Sequence, residues 1–177
     1  MKLATTRRIT PSVLLTAALL ALSPAAIAVP PEKGDPVPDL GPFDLPAGEA
    51  CEDFPLRIEG TDSNATVRIF KDKKGEVVRI LQTGRGYTLT YTNLLTLESV
   101  TIRPTGSNRR IVENADGTFT VTDTGTAGII LFPGDTPEGP SSTQYYGRLV
   151  YTLAADGSTF ESLDTTGTSR DICAELA

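Results

Sequence analysis

Histidine is missing from all 177 residues, as is tryptophan, and the chain holds only two cysteines and one methionine. Without histidine the commonest general base and the commonest metal ligand are both absent. That excludes Ser-His-Asp and Cys-His catalysis, and it excludes His-ligated zinc, copper and haem. Lysine is scarce too: from Cys51 onward it occurs only as Lys71, Lys73 and Lys74, all at one turn. A Ser-Lys nucleophile needs a buried lysine, which such a turn does not provide. The acidic stretches Glu59 to Asn64 and Glu113 to Thr118 lack the alternating oxygen ligands of a calcium loop. No cofactor and no metal are expected. The longest apolar run, Val13 to Leu22, stops at Ser23-Pro24, well short of the roughly 20 residues that span a bilayer.

That run has a different use. Lys2, Arg7 and Arg8 precede it, and Ala26-Ile27-Ala28 supplies small residues after it, the three-part build of a secretory signal. Residues 1–28 are expected to be removed, leaving Val29 first. The remaining chain carries thirteen basic and twenty-two acidic side chains, a net charge of −9. Such a surface repels nucleic acid and anionic lipid, so neither nucleic-acid binding nor membrane insertion after signal removal is expected. The expected destination is extracellular, with the protein held at most loosely to the cell envelope. The partners left are an envelope component or a small ligand.

Residues 29–50 contain Pro30, Pro31, Pro36, Pro38, Pro42 and Pro46 among five acids and one lysine. Prolines at irregular spacing favour solvated, extended backbone, so this segment reads as a linker. From 51 to 177 the pattern changes to short runs rich in Val, Ile, Thr, Tyr and Phe, broken by Gly, Asn and Asp clusters. That is an all-β signature. Strands are predicted near 54–60, 65–71, 76–82, 87–92, 97–103, 109–113, 118–123, 128–132, 144–153 and 158–164, with no helix. Short links predict an antiparallel meander of about ten strands, forming a flattened barrel or a two-sheet sandwich. Gly128-Ile129-Ile130-Leu131-Phe132 is apolar without alternation, so both its faces should be covered.

Cys51 and Cys173 flank the β-rich region in a chain that carries an export signal, and a disulfide between them is expected. A redox-active pair would need close spacing such as Cys-x-x-Cys.

Two groups of residues are candidates for binding. Leu56-Arg57-Ile58, Val67-Arg68-Ile69 and Val78-Arg79-Ile80 repeat an arginine every eleven residues. Arg57, Arg68 and Arg79 form either a solvated outer face balanced by nearby acids or an anion-binding row in a cleft. The long loop 133–143 carries Asp135 and Glu138 and runs into Tyr145-Tyr146. Aromatic faces beside carboxylates suit a carbohydrate, although strand tyrosines are usually packing residues. Sixteen acids lie between the cysteines, so hydrolysis by a carboxylate pair stays open, with no two of them singled out.

At Cys51-Glu52-Asp53-Phe54, Tyr87 to Asn93, Ile130 to Pro140, Tyr146-Gly147-Arg148 and Asp171-Ile172-Cys173-Ala174, the chain resembles small secreted actinobacterial proteins of unknown function. The resemblance covers roughly 51–177 and implies export and a shared domain, but no activity. The expected function is therefore a secreted, non-catalytic β-domain that binds at or near the cell envelope. The alternative is a secreted glycan-directed hydrolase with two carboxylates.

Overall fold

A computed structural model describes residues 29–177. The expected signal, residues 1–28, lies outside the described residues. Among the described residues, eleven antiparallel strands form two sheets. The larger sheet runs, in spatial order, β1 (Glu32–Lys33), β4 (Thr66–Lys71), β5 (Val77–Gly84), β8 (Ser107–Glu113), β9 (Phe119–Leu131), β10 (Ser141–Leu153) and β11 (Phe160–Asp171). The smaller consists of β2 (Leu40–Leu45), β3 (Leu56–Thr61), β6 (Thr88–Asn93) and β7 (Ser99–Ile102). The all-β expectation holds, as a sandwich rather than a closed barrel.

The meander holds only from β8 to β11; upstream, the links 62–65, 85–87 and 103–106 carry the chain between sheets. Asp62, at φ 59°, turns the chain out of β3. Two of these crossings are tied together, since Asn64 N donates to the Arg85 carbonyl and Arg85 N donates to Asn64 Oδ1.

The linker expectation fails in two places, and the first is β1, where Glu32 and Lys33 pair with Ile69 and Arg68 of β4. The second is β2, which pairs with β3, and Leu40, Phe43 and Leu45 pack against the core. Pro42 is tolerated because β2 is an edge strand and carries a register shift between Leu40 and Phe43. Residues 172–176 form a short helix, α1 (Ile172–Leu176), capped by Asp171 accepting from Ala174 N. Five residues are too few for a helical period to stand out.

The predicted strands at 118–123 and 128–132 are one continuous β9, and it does not run straight. A thirteen-residue strand spans roughly 40 Å when extended. Yet Asp135 accepts from Phe132 N with one carboxylate oxygen, at 2.6 Å, and from Phe160 N with the other, at 2.8 Å. Phe132 follows the Leu131 end of β9, whereas Phe160 pairs with Leu153, which pairs with Phe119 at the opposite end. The two ends of the strand therefore meet, and the large sheet is folded back on itself.

The crease is visible in the register. Gly125, Gly147 and Gly167 stand side by side on β9, β10 and β11, with Ser107 and Gly84 continuing the row on β8 and β5. The three central glycines have φ of 99°, 148° and 111°, values that side chains rarely allow. A Cβ at Gly147 would overlap the Thr166 carbonyl oxygen, and one at Gly167 the Tyr146 carbonyl oxygen.

Folding makes three layers out of two sheets. The half of β9 beyond the crease is the middle layer: Ile129 and Leu131 join Val121, Leu149 and Tyr151 in one core, while Ile130 packs on the other, built from Phe54, Leu56, Ile58, Tyr91, Ile102, Ile172 and Leu176. The run 129–131 is thus covered on both faces, as expected; Phe132, at its end, is exposed. The Cys51–Cys173 disulfide forms, with Cα atoms 5.5 Å apart, and ties α1 to the segment before β3. Ser142, fully buried on β10, donates to the Ala50 carbonyl at 3.1 Å and joins the middle layer to the same segment.

Candidate functional site

The three layers meet at Ser107, where β8 begins. β8 pairs with β9 only as far as the crease, so beyond Gly125 β9 has β10 on one side and, among the described residues, no strand on the other. Beside that free edge lies a cleft of about 260 Å³. Its apolar wall is Leu40, Tyr87, Leu89, Ile102 and Pro104, and its polar groups include Gln82, Arg109, Asp123 and Gln144, with Ala127 and Gly128 of the β9 edge between them. Tyr87 fixes the rim, its hydroxyl donating to the Pro38 carbonyl at 2.6 Å. Burial, followed by the charge of Asp39, raises the pKa of that hydroxyl.

Arg109 and Asp123 are cross-strand partners. The guanidinium donates to both carboxylate oxygens, at 2.9 and 2.8 Å, and the Tyr151 hydroxyl donates to the same carboxylate at 3.2 Å. Asp123 is 4% exposed and Arg109 38%, so the acid needs its partner much more than the base does. Burial opposes the charge on Arg109, but the hydrogen bonds to Asp123 outweigh it and raise the pKa above its ordinary value. The pair contributes no net charge to the cleft.

Gln144 differs from its neighbours. It is fully buried, and neither its Oε1 nor its Nε2 has a hydrogen-bond partner. Gly128, its register partner on β9, is packed closely against it and has no space for a side chain: a Cβ there would lie 2.5 Å from Tyr91 Oη and 3.3 Å from Gln144 Oε1. Tyr91 is itself buried, and burial pushes its pKa up to about 12. An unmet amide costs about 1–3 kcal/mol in a folded protein, which makes this wall the place where a ligand has most to offer.

None of the residues singled out from the sequence lines this cleft. The arginines do not form one row, because Arg57 lies on the small sheet while Arg68 and Arg79 lie on the large one. Arg57 is exposed and pairs bidentately with Asp44, whose carboxyl it holds below the ordinary value. Arg68 is exposed beside Lys33, and Arg79 stacks 3.7 Å above the Phe70 ring. Asp135 is the clip of the folded sheet, and Glu138 accepts from Gly134 N at 3.1 Å within the same loop. Tyr145 and Tyr146 are adjacent on one strand and so face opposite ways; Tyr145 packs into the core of the folded sheet. They make no common aromatic platform. Asp123 and Gln144 went unmarked, although Asp123 left a signal: it shares the inward parity of Val121, Ile129 and Leu131. Gln144 left none.

The chain matches no protein-family model, no curated protein and no solved structure.

Proposed function

We propose that this protein is a secreted, non-catalytic binding domain that holds a small ligand, or a small part of an envelope component, in the cleft at the β9 edge. The observation that carries the reading is the buried Gln144 with both polar atoms unpartnered on the wall of that cleft. Apolar walls with a few converging polar groups are the usual make-up of a ligand site. The disulfide fits an oxidising destination, and the signal-like N-terminus points the same way. The hydrolase alternative has less support. Asp123 is the one acid among the described residues lining the cleft, and Arg109 occupies both of its oxygens.

The test is co-sedimentation of the protein with isolated cell envelopes of the producing organism, wild type against Gly86→Trp. Gly86 lines the cleft, and a Cβ there meets only Ser107 Oγ, at 3.5 Å, so the indole can fill the cleft without displacing backbone. Wild type should sediment, and the variant should do so about tenfold less. Equal sedimentation would remove the cleft as the binding site, and no sedimentation of wild type would remove the envelope as the partner.

A further inference from the structure

We infer that this protein pairs with a second copy of itself along β11, edge to edge and antiparallel, about a two-fold axis that passes through Gly167. The inference is independent of the ligand reading, since no residue of β11 lines the cleft.

The two sheets end in four edge strands, β1, β11, β2 and β7. Free edges invite pairing unless they are very short, carry proline or lysine, or are bulged. Three of the four are blunted in these ways: β1 has two residues, β7 has four, and β2 holds Pro42 and a register shift. β11 has twelve residues without proline or lysine, and Asp164 to Ser169 are all exposed. Among the described residues no strand pairs with its outer side.

The outward groups follow from the ladder. Asn114 N donates to the Thr118 carbonyl on one side of the crease and Thr126 N to the Gly106 carbonyl on the other, so the even residues of β9 turn away from β10. The registers carry this alternation to β11 without a shift between residues 163 and 171. There the N–H and C=O groups of Leu163, Thr165, Gly167, Ser169 and Asp171 face outward.

The crease selects the partner. A straight strand can follow β11 only as far as Gly167, whose φ is 111°. A copy related by a two-fold axis along the bisector of the crease bends at the same point and keeps inner face beside inner face. Centred there, the pairing sets Gly167 against Gly167 of the second copy, Thr166 against Thr168, Thr165 against Ser169 and Asp164 against Arg170. Hydroxyl pairs and opposite charges are favourable across strands, and no like charges meet. Moving the centre to residue 166 or 168 puts the two bends out of line. A single strand pair lies at the small, transient end of interfaces, so the dissociation constant should be roughly 10–500 µM.

The experiment is sedimentation velocity of the purified protein from about 5 µM to about 1 mM, a range that spans such an equilibrium. Wild type should pass from monomer to dimer. Ser169→Pro deletes an outward N–H that β10 does not use, and Asp164→Arg sets like charges opposite each other at both symmetric positions. Each should weaken association about tenfold. Asp164→Arg alters one exposed side chain, so the test stands even where the proline variant fails to fold. Register is read separately: a mixture of Thr166→Cys and Thr168→Cys proteins should form an intermolecular disulfide in air at least about fivefold faster than either alone, because only the register centred on Gly167 sets these positions opposite each other. A monomer at every concentration, or association that Asp164→Arg leaves intact, overturns the inference. Equal cross-linking in mixed and single-variant samples overturns the Gly167 register and with it the self-matching crease.

Discussion

Replacing Asp135 probes the folding-back of the large sheet, because that carboxylate bonds both ends of the long strands, next to a backbone bond from Thr136 N to the Phe160 carbonyl at 2.8 Å. Asp135 is 6% exposed and accepts from Phe132 N at 2.6 Å and from Phe160 N at 2.8 Å. Hydrogen bonds to a charged acceptor contribute about 1.5–3 kcal/mol each. Asp135→Ala loses both and strands two backbone donors, an expected loss of about 3–5 kcal/mol. Asp135→Asn keeps the volume and one carbonyl acceptor but turns an NH₂ towards the other donor, so about 2 kcal/mol should go. Glu138→Gln is the control, since its contact with Gly134 N is exposed, and it should change stability by less than about 0.5 kcal/mol. Urea denaturation followed by tyrosine fluorescence measures all three. With a slope of about 1–3 kcal/mol per molar, the Asn variant's midpoint should fall by roughly 1 M. If Asp135→Asn matches wild type within about 0.5 kcal/mol, the carboxylate does not close the fold and the account of the crease is wrong.

Two further outcomes are expected. Cys51 and Cys173 close a loop across a sequence separation of 122, so the double Ser variant should lose about 5 kcal/mol in the chain-entropy account while keeping its strands; an unchanged urea midpoint, or alkylation of native wild-type protein, would refute this. Tyr91 has its pKa raised by burial from 10.0 to about 12, so the folded state retains a proton that the unfolded state releases. Stability should therefore be complete below pH 10 and fall by about 2–3 kcal/mol between pH 10 and 12. Urea midpoints across that range should fall less steeply for Tyr91→Phe, and equal slopes would disprove the assignment.

What was legible in the residues was whatever local chemistry decides. Asn114-Ala115-Asp116-Gly117 and Ala155-Asp156-Gly157 mark turns because Asp and Gly accept turn geometry, and strands appear on both sides of each. The run at 129–131 announced a doubly covered layer because no polar face interrupts it. The disulfide followed from number, placement and the export signal. Sheet exchange was hidden, since Asp62 to Ala65 is short enough for a hairpin and only the left-handed Asp62 sends it elsewhere. Apolar residues at 40, 43 and 45 were masked by the prolines around them. The predicted strands at 118–123 and 128–132 leave a break around Gly125, whereas Gly125 bends one strand; a break and a bend call for the same residue, and the difference lies in what stands opposite. The cleft was illegible for a similar reason. Gln82, Arg109, Asp123 and Gln144 come from four strands, and only pairing across the sheet brings them to one wall.

The row of glycines also limits how this protein can change length during evolution. Gly125 and Gly147 stand equally far from the hairpin that joins Leu131 to Ser141. Inserting one residue between Gly125 and Leu131 would bring Thr126 opposite Gly147 and exchange the two buried faces of the middle layer. A deletion would do the same in the other direction, with Thr124 in that place. Either change is tolerable only if β10 and β11 alter by the same amount at the same level, three coincident events. Gains and losses of residues should therefore accumulate in the turns at 114–117 and 154–159, while the arms from crease to hairpin keep their lengths even where every side chain along them drifts.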